Sequence, residues 1–253
     1  MESNRKIALM LGVCVVLVML SRFLSSAISL IAFTPLLWLL ESSMNRKASL
    51  VYWLSGSILI ITLSSIFALD SVVTALIYGV GLTATLSLYL LTSKFSKNRL
   101  GIFTILFFWI AFDYLILKVL PNASAAFLSG FFDGSKAMGW SRSTGNLGIT
   151  AWIIISNLLF YYVLLWKDAI FSKNIRWLSL IYTLILIALP LLAGLYFVPD
   201  TAPITLAEMT SVYTHNSTSS DISYTENGEW LGRISAWVSI MVVVYALIKS
   251  KTK

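Results

Sequence analysis

The chain has 253 residues, 58% of them hydrophobic and only 11% charged, with a mean hydropathy of +0.86. Soluble domains carry about 25% charged residues, so a water-facing surface could not be covered here and lipid must be the main solvent. The net charge of +7 does not point to nucleic acid, because the cations sit in small groups between apolar runs, as membrane loops do.

The first apolar run extends from Ile7 to Leu40. As one helix it would reach about 51 Å at 1.5 Å per residue, too long for a single crossing of a core about 30 Å thick. Ser21, Arg22, Ser25 and Ser26 interrupt it, which predicts two helices, about 7–20 and 23–40. The first is short, and on length alone a re-entrant segment is the alternative. Arg5 and Lys6 before an apolar core also fit a signal peptide, but with Met1 present the segment is expected to be retained. Leu11-Gly12-Val13-Cys14 faintly resembles a lipoprotein cleavage box; Val13 is not small and the run continues to Leu20, so Cys14 reads as a buried structural thiol. As the single cysteine it excludes a disulfide framework.

Six further segments have crossing length: about 48–69, 71–92, 100–120, 146–166, 175–197 and 230–248. Pro35 and Pro190 are expected to kink their helices. Small residues such as Ser55, Gly56, Ser57, Ser64, Ser65, Gly79 and Gly81 are expected to permit close helix approach and interhelical hydrogen bonds. Trp38, Trp53, Trp109, Trp166, Trp177 and Trp230 lie near span ends, where aromatic belts form.

The fold class expected is therefore all-α integral membrane, a single domain of about eight transmembrane helices. Loop charge sets the parity. With both termini cytoplasmic, that side holds Arg5, Lys6, Arg46, Lys47, Lys94, Lys97, Arg99, Lys167, Lys173, Arg176, Lys249, Lys251 and Lys253. The other side keeps Arg22, Lys118, Lys136, Arg142 and Arg233, so the positive-inside rule is obeyed at every loop. Two outer loops are long. One, about 121–145, contains Trp140 and Arg142 and is the best candidate for a partner surface. The other, about 198–229, is polar and acidic, holds the only histidine, His215, and alternates over 204–213 as a short hairpin would.

The residues offer little chemistry. One His and one Cys do not make a metal site, Gly79 and Gly81 lie inside a membrane helix and not in a phosphate loop, and no cofactor is expected. The notable intramembrane polar residue is Asp113, with Lys118 five positions on. A carboxyl at that depth normally faces the bundle interior with a partner. It reads either as a proton or substrate site or, as we prefer, as a structural pin, since a pump needs a relay of further acids or histidines.

The order of several motifs resembles the membrane part of the apolipoprotein N-acyltransferase family over nearly the full chain. FTPLLWLLESSMNRKASLVYWLSGSILI at 33–60 looks like that family's second and third helices, and WIAFDYL at 109–115 like its fifth, with Asp113 where an acid, usually Glu, is expected. TGNLGITAWIIISNLL at 144–159 is similar to the entry of the sixth helix, with Gly145, Gly148 and Asn157 in register. ISYTENGEWLGRISAW at 222–237 resembles the lead-in to the last, with Tyr224, Gly228, Glu229, Trp230 and Arg233 matching. In that family a nitrilase-like domain between the seventh and eighth helices supplies a Glu–Lys–Cys triad. Here the same place holds only 198–229, without cysteine, and no lysine lies between Lys173 and Lys249. The Phe-Pro-Trp segment expected after the fifth helix is replaced near Pro121-Asn122-Ala123-Ser124, and the family's basic residue three after the acid falls on Ile116.

The resemblance implies a kept membrane scaffold with the catalytic residues missing from this chain. The first expectation is a non-catalytic subunit or scaffold of a larger complex in a bacterial inner membrane, binding lipids and other membrane subunits, with no nucleic acid. Tyr224, Glu229, Trp230 and Arg233 would then anchor the last helix at the outer interface, Arg233 snorkelling or meeting an acid such as Asp113. The second is the membrane half of a split enzyme whose triad sits on a separate nitrilase-like chain. The third is a small transporter or flippase that uses Asp113.

Overall fold

A computed structural model describes residues 2–45, 47–66, 72–96, 101–119, 127–132, 140, 144–166, 177–196 and 230–251. Among them every regular element is helical. The α-helices are α1 (Glu2–Phe23), α2 (Ser29–Ala32), α3 (Thr34–Asn45), α4 (Lys47–Ile66), α5 (Val72–Phe95), α6 (Thr104–Val119), α7 (Gly145–Phe160), α8 (Trp177–Tyr196) and α9 (Trp230–Lys251). A 3₁₀ turn at Ser26–Ile28 precedes α2, another lies at Ser129–Phe132, and α7 runs on into a π turn, Tyr161–Leu165. Five stretches are long and apolar enough to cross a membrane: Arg5–Phe23, Val72–Phe95, Gly145–Leu165, Trp177–Tyr196 and Trp230–Ser250. Ser26–Ser42 and Leu50–Ile66 are shorter apolar helices, and α6 has 16 residues. The protein is a helical membrane protein.

The sequence break in the first apolar run lies later than Ser21 and Arg22 suggested. Ser21 turns its hydroxyl back onto Val18 O at 2.6 Å, which satisfies it within the helix. Arg22 donates to Gly130 O at 3.2 Å, so α1 runs through both. The chain leaves helical geometry only at Ser25, which is extended. The second break, at Phe33, precedes a Thr34-Pro35 start to α3. Pro35 therefore opens a helix, where its missing N–H costs nothing, instead of kinking one. Pro190 lies inside α8.

Helices adjacent in sequence pack on one another from α3 to α7, α1 lies against α2, α3 and α4, and α2 against α7. The last helix folds back onto α6 and α5. Gly232, Ser235, Ser239, Val242 and Ala246 alternate three and four apart along α9, a narrow seam of mostly small residues. A Cβ at Gly232 would collide with the ring of Tyr114, so the two backbones approach as closely as glycine allows. The glycines of α4 and α5 act alike: a side chain at Gly56 would strike Leu11, one at Gly79 Thr62, and one at Gly81 Phe112. The serines expected to bond between helices do not. Ser57, Ser64 and Ser65 bond the carbonyls of Trp53, Ile60 and Ile61 in their own helix, so they permit close packing without linking helices.

Two tryptophans expected in aromatic belts belong to the interior. Trp53 and Trp109 are buried, and Trp109 stacks with Phe127 at 6.1 Å. Span ends inferred from apolar length cannot separate a belt from a core when neighbouring helices are offset. Trp166, Trp177 and Trp230 are exposed, as a belt position is.

Candidate functional site

The interior is organised around polar side chains that three helices direct inward. The strongest is Asn157 on α7, buried opposite the break between α2 and α3. Its Oδ1 accepts from Phe33 N at 2.8 Å and Thr34 Oγ1 at 3.2 Å, and its Nδ2 donates to Ser29 O at 2.9 Å and Ile153 O at 2.8 Å. A helix break exposes backbone groups that hydrocarbon cannot satisfy. Asn157 supplies one acceptor and one donor and closes the break from outside.

Asp113 on α6 is the second centre, wholly buried. Tyr78 of α5 donates its hydroxyl to Asp113 Oδ1, and the backbone N–H of Phe127 lies against the same phenolic oxygen. Thr150 of α7 turns its hydroxyl toward the carboxyl, yet neither Thr150 Oγ1 nor Asp113 Oδ2 completes a hydrogen bond. Asp113 thus ties α5, α6 and the 127–132 segment together.

That segment was expected to be part of an outer, partner-facing loop. Its described residues Phe127, Leu128, Ser129, Phe131 and Phe132 are buried. Phe127 packs edge-on against Tyr78 at 5.1 Å and Phe33 at 5.9 Å. Trp140 is half-buried and meets Trp152 edge-on at 6.3 Å. The segment packs into the bundle through Phe127, Leu128, Phe131 and Phe132, four of its six residues.

Lys118, Trp230 and Arg233 are not gathered at Asp113. Lys118 is exposed, with Nζ 5.9 Å from the centre of the Tyr114 ring, a cation–π contact one turn apart. Arg233 and Trp230 lie on the exposed side of the first turns of α9, while the carboxyl of Asp113 is met by Tyr78 and Thr150 instead. Arg142, Tyr224 and Glu229, and the hairpin anticipated over 204–213, lie outside the described residues. Cys14 is buried, its thiol donating to Ala32 O at 3.2 Å.

Sequence reading missed Tyr78, Thr150 and Asn146 as neighbours in function. A signal existed for the last two: they stand four apart in the otherwise apolar first turns of the helix, hence on one face. Tyr78 carried none, since a tyrosine in an apolar run reads as packing. No family model, curated protein or solved structure matches this chain.

Proposed function

We propose that this protein is a non-catalytic membrane scaffold, a subunit whose outer helices bind lipid and partner helices while a polar interior fixes their arrangement. The reading includes eight crossings, with α3, α4 and α6 supplying those that the five long helices do not. Loop charge supports cytoplasmic termini, and the resemblance in motif order supports a bacterial inner membrane. The observation that carries it is the division of labour among the helices. Asn157 and Asp113 are engaged with backbone and a phenol inside the bundle, whereas α8 packs chiefly on α7 and leaves Leu178, Ile181, Ile185, Leu189 and Leu192 exposed. An apolar face of that extent belongs against lipid or another membrane chain.

The test is affinity purification of the tagged full chain in a gentle detergent, with mass spectrometry of the retained proteins and lipids. A stable set of membrane subunits at defined stoichiometry is the expected result. A stoichiometric nitrilase-like chain would replace the scaffold with half of a split acyltransferase. Acyl transfer from phospholipid by the purified chain alone would overturn the reading outright. A transporter is the second reading, favoured by the free Oδ2 of Asp113; substrate movement lost in Asp113→Asn with the fold intact would establish it.

A further inference from the structure

Helix α7 starts without a cap. Gly145 enters it at φ 65°, a left-handed conformation that glycine adopts freely, and Thr144 at the N-cap position makes no side-chain cap. Its side chain instead covers Gly148, where any Cβ would strike it. The first N–H groups of a helix have no partner within the helix. In that turn Asn146 is wholly buried, and both Oδ1 and Nδ2 are without a hydrogen bond. Thr150 follows on the same face, also wholly buried and unbonded, and beyond it lies the unbonded Oδ2 of Asp113. Native interiors satisfy nearly every buried polar group, so this series along the α6–α7 seam marks a site.

The flanks of Asp113 differ. Toward α7's first turn the lining is Asn146 and Thr144, of which Thr144 is half-buried with its hydroxyl covered. On the other flank Tyr78 packs edge-on against Phe112 at 5.2 Å and Phe127 at 5.1 Å, and Trp109 lies across Phe127. That wall is aromatic.

The required ligand follows from the groups present. Asn146 needs one donor and one acceptor, Asp113 Oδ2 needs a donor, and the threonines take either. Among the described residues Asp113 has no further His, Cys, Asp or Glu beside it to complete a metal site, and an anion would bring only acceptors to groups that include the acceptor oxygens of Asp113 and Asn146. A neutral molecule that both donates and accepts, with two to four polar partners, is water. We propose that the α6–α7 seam is a one-ended hydration site, through which water enters at Thr144, bridges Asn146 and Thr150, and reaches Asp113 Oδ2. Asp113 is then open to protons from one end of the bundle and closed from the other. This goes beyond the scaffold reading and does not depend on it.

The experiment is infrared spectroscopy of the full chain in lipid nanodiscs on transfer to D₂O, with the Asp113 band identified by its loss in Asp113→Asn. The band should shift within the mixing time. Asn146→Leu combined with Thr150→Val should slow the shift by about tenfold or more, because exchange must then wait for local opening. Thr83→Val, which removes a buried, unbonded hydroxyl elsewhere on α5, should leave it unchanged. A band in the ionised-carboxylate region would also support the site, since a buried charge met by one phenol needs further donors. A band that stays unshifted for hours, or exchanges equally fast in the folded double variant, overturns it. Where the double variant is not monodisperse, a structure resolving solvent decides. Ordered density within about 3.2 Å of Asn146 Nδ2 and Asp113 Oδ2 supports the site, and a dry seam refutes it.

Discussion

Replacing Asn157 with leucine tests the claim that one side chain closes the break before α3. The substitution keeps the volume and removes both polar atoms. Phe33 N–H loses its acceptor at 2.8 Å and keeps only the contact two residues back to Ile31 O, and Ser29 C=O loses its donor at 2.9 Å. Thr34 keeps a bond, because its hydroxyl also reaches the backbone oxygen of residue 157 at 3.2 Å, and Ile153 O belongs to a continuous helix. Two buried backbone groups are therefore stranded, each costing about 1–3 kcal/mol. Membrane proteins fall toward the lower figure, since side-chain bonds there average about 0.6 kcal/mol and the disordered state finds other partners. A destabilisation of about 2–4 kcal/mol follows from two stranded groups, which corresponds to roughly 4–16 °C in melting temperature for a chain of this size. Intrinsic tryptophan fluorescence on heating in detergent would measure it, with Thr34→Val as a control expected to lose under about 1 kcal/mol. A shift below about 2 °C for Asn157→Leu, on the same scale of a few degrees per kcal/mol, would show that the break is stable without the clamp.

Three further outcomes follow from the same contacts. Tyr78→Phe leaves the Asp113 carboxyl without its phenol donor and should cost about 1–3 kcal/mol, whereas Asp113→Asn keeps an oxygen for Tyr78 and should cost less; the reverse order in thermal melts would refute the pin. Gly232→Ala should destabilise by about 1–3 kcal/mol through the Tyr114 ring. By contrast Gly12→Ala, on the exposed side of α1 with open space around the new methyl, should stabilise by about 0.5–1 kcal/mol. Cys14 should resist maleimide in the folded protein and react on denaturation, as its burial and its bond to Ala32 O require; rapid labelling of the native protein would place α1 elsewhere.

The amino-acid sequence by itself determined where most of the long helices are, though not the breaks between Ile7 and Leu40. The apolar segments anticipated at 71–92, 146–166, 175–197 and 230–248 correspond closely to α5, the α7 span, α8 and α9, because a residue's preference for hydrocarbon depends on its own side chain. It also singled out Asp113, since a carboxyl among Phe, Ile and Leu stands out without any neighbour being known. Partners were another matter. Lys118 and Arg233 were the charged candidates in reach by sequence, but the carboxyl is held by Tyr78, 35 residues away, because helix phase and tilt decide which side chains meet. The same holds for Asn157, whose matching groups at Ser29 and Phe33 lie more than 120 residues before it. Trp53 and Trp109 moved from belt to core, and the 127–132 segment from surface to interior, for one reason. In a membrane chain an apolar residue is stable against lipid or against protein alike, so hydropathy cannot choose between them. Only the tertiary structure, by bringing close-packed faces and satisfied polar atoms to one side of each helix, made that choice.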